Sequence, residues 1–250
     1  MRNKIYIGTS GWVYPHWDGI FYPKDLPYKD KLKYFSKHFK TTEINYSFYH
    51  LPRPESYQKW YQETPGDFLF AVKASRFITH TCLAGRQVKR LKEVKGAWRA
   101  FLENALRLKE KLGPILFQFP PSFRAATENI KRLEDFLKLI TKTKLRYAFE
   151  FRHESWCDKK IYNLLKKYNV AWVIADSPSY PKAEEVTADF VYIRMHGSKV
   201  LFASKYTKKE LSSLAQKIEK WLKICDIYVY FNNDAYGYAI ENAKELINLI

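Results

Sequence analysis

Glu150 and Arg152 stand two residues apart in the stretch YAFEFRHESW, Tyr147 to Trp156. On a β-strand that spacing puts both on one face, because side chains alternate with period two. The opposite face is Tyr147, Phe149 and Phe151, too aromatic for an ordinary wet edge. The same arrangement recurs. Glu43 and Asn45 share a face of TTEINY, Lys73 ends DFLFAVK, and Gln118 lies near the end of PILFQF. Asp176 follows AWVIA, in phase with Trp172 and Ile174. Arg194 and His196 share a face at the end of FVYIRMH, and Asn232 and Asn233 close the last strand.

These residue types suit a definite chemistry. Lys73, Arg76, Arg152 and Arg194 supply positive charge for a phosphate or carboxylate. Glu150 and Asp176 offer a general acid and base, whose roles separate where their surroundings push their pKa values apart. His196 titrates near neutrality and can shuttle a proton. The catalytic candidates are therefore Glu150, Asp176, His196 and Lys73. The ligand-binding candidates are Glu43, Asn45, Arg76, His80, Gln118, Arg152, Arg194, Asn232 and Trp12. A structural ion-pair network explains any one of them equally well; the convergence of the whole set favours function. Glu43, Glu150, Asp176 and His196 have donors for a divalent ion, but no spacing is metal-specific and the crowd of cations opposes one. No metal ligand is assigned, and no cofactor is named by the residues.

The polar residues need elements that bring them together. Eight short apolar strands are predicted: 4–8, 41–46, 67–73, 114–119, 145–150, 171–175, 190–195 and 227–232. Helical patterns lie between most of them. The clearest is GAWRAFLENALRLKEKLG, ended by Gly113 and Pro114. Others span 127–140, 158–168, 207–223 and 236–250. Alternating β and α implies a parallel sheet with helices outside. Eight such units in 250 residues predict one α/β domain over 1–250, a TIM-type (β/α) barrel whose C-terminal mouth carries the chemistry. Residues 176–189 hold two prolines and little periodicity, so the barrel is expected to be irregular between strands six and seven. An open doubly wound sheet lacks its GxGxxG turn here.

Long loops add to the mouth. GTSGWVYPHWDGIFYP after strand one brings Trp12, Tyr14 and Trp17 as a stacking platform or a hydrophobic cap. KASRFITHTC after strand three carries Arg76 and His80. From Arg86 to Lys111 run nine basic residues against three Glu, compatible with a backbone-binding flank. Overall, 43 Lys and Arg face 26 Asp and Glu, a net charge of +17 that attracts anionic partners. Cys82, Cys157 and Cys225 are odd in number and far apart, against a disulfide framework or zinc site. With no signal peptide and no apolar run of membrane-spanning length, a cytoplasmic location is expected and no membrane partner.

Seven blocks together resemble one family: GTSGWVYPHW, TTEINYSFYHLP, FLFAVKASRFITH, LGPILFQFPPSF, YAFEFRHESW, TADFVYIRMHG and IYVYFNNDAYGYA. They are similar to the YecE-like proteins, domain of unknown function 72, over nearly the whole chain. The resemblance implies a TIM-type barrel and no settled reaction. The favoured expectation is an enzyme acting on a phosphate ester, a hydrolase for a nucleotide or nucleic acid. A phosphorylated small molecule or a nucleic acid is then the partner. The alternatives are a sugar or small-acid isomerase or lyase, and a non-catalytic nucleic-acid-binding protein. Oligomeric state is not legible.

Overall fold

The computed structural model describes residues 3–85 and 91–250. Eight parallel strands are present: β1 (Ile5–Thr9), β2 (Thr41–Ile44), β3 (Leu69–Lys73), β4 (Leu112–Gln118), β5 (Tyr147–Glu150), β6 (Val170–Asp176), β7 (Phe190–Met195) and β8 (Asp226–Phe231). They pair in the order β1-β8-β7-β6-β5-β4-β3-β2. The helices are α1 (Lys31–Phe35), α2 (Tyr46–Tyr49), α3 (Pro54–Glu63), α4 (Leu91–Ala105), α5 (Thr127–Ile140), α6 (Lys159–Lys167), α7 (Lys208–Trp221) and α8 (Tyr238–Leu249). This is the TIM-type α/β barrel that the strand-helix rhythm predicts.

The barrel closes between β1 and β2 without a full ladder. Ser10 bridges to Glu43, the Gly11 N–H donates to the Glu43 carbonyl, and Thr42 Oγ1 donates to the Thr9 carbonyl at 3.0 Å. Gly8 permits this approach: a Cβ there would lie 2.1 Å from the Thr41 carbonyl oxygen. Backbone on backbone cannot yield as a flexible side chain does. Gly8→Ala is expected to destabilise the protein by about 1–3 kcal/mol, within the range for overpacking. Urea unfolding checks this, and an unchanged midpoint would contradict it.

Two apolar layers result. Inside the barrel lie Ala71, Leu116, Ala148, Ala171, Val173, Phe190, Tyr192, Tyr228 and Tyr230. Outside, between strands and helices, lie Phe149, Phe151, Trp172 and most of the remaining core. The opening strand thus behaves as its alternation requires, with Ala148 and Glu150 inward and the phenylalanines outward. Strand six does not follow the expected phase. VAWVIA is apolar throughout, so alternation cannot choose its face. Size chooses instead: Trp172 stacks on Phe151 outside the barrel at 5.3 Å, and Ala171 and Val173 fill the interior beside Tyr192.

Residues 177–189 between β6 and β7 form no helix, in accord with Pro178 and Pro181. The segment is a strap fastened to β6. Thr187 Oγ1 donates to the Val170 carbonyl and accepts the Trp172 N–H, both at 2.7 Å. Trp172 Nε1 donates to the Ala183 carbonyl at 3.1 Å.

The helix expected to run on to Gly113 ends earlier. After α4 a tighter turn spans Leu106–Lys111, broken by Lys109 at φ 49°, and Gly113 and Pro114 lie inside β4. Lys111 is the physical reason. Its buried ammonium donates to the Tyr61 and Thr64 carbonyls at 2.6 and 2.7 Å, which ties the segment to the end of α3. Lys111 is therefore no part of a polyanion-binding flank. Arg86, Lys89 and Arg90 of that basic segment lie outside the described residues.

Candidate functional site

The inward positions at the C-terminal ends of β2, β5 and β7 carry Glu43, Glu150 and Arg194, all buried. The Arg194 guanidinium donates to Glu150 Oε2 at 2.5 Å and to Glu43 Oε1 at 2.7 Å. Glu43 also accepts from Ser10 Oγ at 2.8 Å and Tyr192 OH at 2.6 Å. Glu150 accepts at its other oxygen from Arg152 Nε at 2.8 Å. Burial alone would push both acids up. Arg194 outweighs it, aided by Tyr192 and Ser10 at Glu43 and by Arg152 at Glu150, so both stay below the usual carboxylate range. Burial pushes the Arg194 pKa down; Glu150 and Glu43 more than restore it. These are permanently ionised groups whose oxygens are already engaged.

His196 lies in the same layer and is fully buried. Asn232 Nδ2 donates to its Nδ1 at 3.1 Å, which leaves the proton on Nε2, 3.5 Å from Glu150 Oε2. Burial, with Arg194 and Arg152 against Glu150, lowers its pKa and keeps the ring neutral.

Above this layer opens a cavity of about 630 Å³, bordered by Asn45, Lys73, His80, Gln118, Arg152, Arg194 and Asn232. Arg152 extends over the Tyr180 ring at 4.2 Å. Among the described residues only its Nε has a hydrogen-bond partner, so the terminal fork is free. Lys73 sits 4.0 Å above the Phe48 ring, with no carboxylate in ion-pair reach among the described residues. Burial lowers its pKa to about 7, and Arg194 and Arg152 add to that against the two glutamates. Burial, then Lys73, Arg76 and Arg152, lower His80 to about 4, so it is neutral.

A model of the family described as "Protein of unknown function DUF72" matches residues 6–250. The chain belongs to the DUF72 family. It is similar to UPF0759 protein YunF of Bacillus subtilis (strain 168), 29% identical over 98% of this chain and 94% of that one. UPF0759 protein YecE of Escherichia coli (strain K12) is 26% identical over 62% of this chain and 51% of its own. A crystal structure of a DUF72 family protein from Thermotoga maritima MSB8 covers 99% of both chains at 28% identity, with a TM-score of 0.86. The YecE-like resemblance read from the seven blocks is thus the family membership, and the barrel is its fold.

Not every candidate residue reaches the mouth of this DUF72 barrel. Glu43, Glu150 and His196 lie beneath the cavity, not in its lining. Asp176 is misplaced by the strand-six phase. It points outside the barrel, where Tyr206 OH donates to it at 3.0 Å and Lys182 approaches at 3.5 Å. It cannot pair with Glu150 as acid and base. Arg76 is exposed and does not line the cavity. Trp12 packs edge-on against Trp60 at 5.3 Å and borders a neighbouring groove.

Among the residues absent from the candidate set that line the cavity are His16 and Asp234. His16 Nε2 meets Asp234 Oδ2 at 3.0 Å, and the buried Trp17 Nε1 donates to the same carboxylate at 3.0 Å. Burial raises Asp234 to about 6, against the opposing pull of Trp17 and His16. This dyad, and not Glu150 with Asp176, is the carboxylate–imidazole pair on the cavity wall of the DUF72 barrel. The signal available in sequence was an acid just after the last strand, at Asp234, and a His in the aromatic loop.

Among the described residues no cluster of three or more His, Cys, Asp or Glu is arranged to hold a metal ion. No described helix is long and apolar enough to cross a membrane.

Proposed function

We propose that the barrel is an enzyme acting on a phosphate ester, of a nucleotide or nucleic acid, at its C-terminal mouth. The free Arg152 fork facing the cavity carries this reading. A planar guanidinium with two open nitrogens matches a phosphate in two-point geometry. The charge balance agrees. Arg152 and Arg194 balance Glu43 and Glu150, and Lys73, about half protonated at pH 7, tips the mouth to the positive side for an anion. The net charge of +17 would draw polyanions to the surface.

Proton transfer then falls to His16 and Asp234. Glu150 is held ionised and both its oxygens are occupied. Asp234, poised near 6, orients His16 through the contact at its Nε2.

The test is a panel of phosphomonoesters, phosphodiesters and oligonucleotides, each with and without divalent ions. Arg152→Gln is expected to lower kcat/KM by about 10²–10³, as loss of one charge-stabilising donor does. Wild-type activity should fall as pH drops through about 6, and Asp234→Asn should remove that limb. No turnover across the panel, or turnover indifferent to Arg152→Gln, would overturn the reading.

A further inference from the structure

Lys73 is not explained by phosphate binding alone. It ends β3 and is 7% exposed, yet it lines the cavity. The two carboxylates that would naturally hold it, Glu43 and Glu150, are taken by Arg194. Its ammonium lies over the face of Phe48, itself edge-on to His80 at 5.2 Å. A lysine that only bound anions would sit better exposed and fully charged. An amine buried at the end of β3 and set beside two guanidinium groups is instead set up to be neutral and nucleophilic, the ring face offsetting this only in part.

We infer that Lys73 is a nucleophilic amine that condenses with the carbonyl of a small anionic aldehyde or ketone, whose acid group pairs with the free fork of Arg152. The amine lone pair adds to the carbonyl carbon while the C=O π pair moves to oxygen. A proton passes from nitrogen to oxygen, giving a carbinolamine. Loss of water then forms the C=N bond, so amine plus carbonyl gives imine plus water and no redox partner is needed. His80, neutral and on the cavity wall, stands on the Lys73 side to relay that proton.

The neutral fraction of Lys73 at pH 7 is about half, against roughly one in a few thousand for an ordinary surface lysine. Lower basicity also lowers intrinsic nucleophilicity, so the net advantage is smaller than that ratio.

This inference goes beyond the phosphate-ester reading, and the experiment separates the two. The full-length protein is treated at pH 7 with glyoxylate, with glycolaldehyde phosphate or with uncharged glycolaldehyde, each with cyanoborohydride to reduce the imine. Adducts are located by peptide mass mapping. Lys73 should be labelled about tenfold or more faster than any other lysine by at least one anionic aldehyde. The faster of the two assigns carboxylate or phosphate as the preferred acid group. Arg152→Gln should bring that rate down to the glycolaldehyde rate. Lys73→Arg should abolish the fast adduct. Labelling spread evenly over surface lysines in the wild type would overturn the inference without any variant having to fold. Glycolaldehyde labelling Lys73 as fast as both anions would overturn the part given to Arg152. A fast adduct with no turnover of the ester panel would leave the amine standing and sink the ester reading; turnover with no adduct would do the reverse.

Discussion

Arg194→Met is expected to lower folding stability by about 3–5 kcal/mol, the range for breaking a buried ion pair by removing one partner. Arg194 is 1% exposed and, among the described residues, is the only group that bridges Glu43 and Glu150. Without it two buried carboxylates face each other across the barrel. Glu150 keeps Arg152, whereas Glu43 keeps only the hydroxyls of Ser10 and Tyr192. Glu43 should therefore carry the larger part of the loss. Glu43→Gln in the Arg194→Met background should recover more stability than Glu150→Gln does. The sign with pH follows. In the wild type both acids are held below their unfolded value, so their contribution is present above about 4.3 and is lost as pH falls through the folded values. In Arg194→Met the acids rise, and the variant should be worse at pH 8 than at pH 5, where it can take up protons. Urea unfolding at both pH values checks this. A loss under about 1 kcal/mol would mean that the network is not the structural centre of the mouth.

The barrel and most of its inner face are legible in sequence because one physical rule governs them. On β3 and β5, which have a bulky apolar face and a small or charged one, helices take the bulky face and the interior takes the other. That is true of Phe149 and Phe151 against Ala148 and Glu150, and of Phe70 and Val72 against Ala71 and Lys73. The rule fails on β6, where both faces are apolar and packing volume decides. Asp176 goes to the outside with it. The early end of α4 escapes for a different reason: Lys111 is captured by carbonyls some fifty residues away, and local periodicity holds no trace of that.

The His16–Asp234 dyad escapes because loops have no period. Its members are 218 residues apart and meet only when the barrel closes. Proximity to a strand's C-terminal end is the sole sequence cue, and it ranks Asp234 no higher than Asn232. Conversely, alternation places Glu150 and Arg194 together correctly but says nothing of how they divide the work. The two acids are silenced by the arginine that the same alternation brings to them. What faces the cavity is the remainder: a free guanidinium fork, a neutral histidine and an underprotonated lysine.

That lysine sets the last expectation. Lys73→Met should stabilise the protein at pH 6 by up to about 4–5 kcal/mol, since each unit of pKa displacement is worth about 1.4 kcal/mol. The folded amine titrates at about 7 and the unfolded one near 10.4. Below pH 7 both states are charged, and the folded state bears the whole cost of a desolvated ammonium beside two guanidinium groups, offset only in part by the Phe48 ring face. Between about 7 and 10 the unfolded chain binds more protons than the folded one, so wild-type stability rises with pH across that window. The variant has no such group and should be flat there. The two curves should therefore be furthest apart at pH 6 and converge by about pH 10. Methionine keeps most of the stem against Phe48 and removes the charge with one heavy atom; that packing change is the same at every pH, so packing alone does not reproduce the trend. Unfolding in urea at pH 6, 8 and 10 decides the matter. A variant less stable than the wild type at pH 6 would show the ammonium to be held favourably, and Lys73 would then be a structural cation, not a residue kept in the barrel mouth at the expense of the fold.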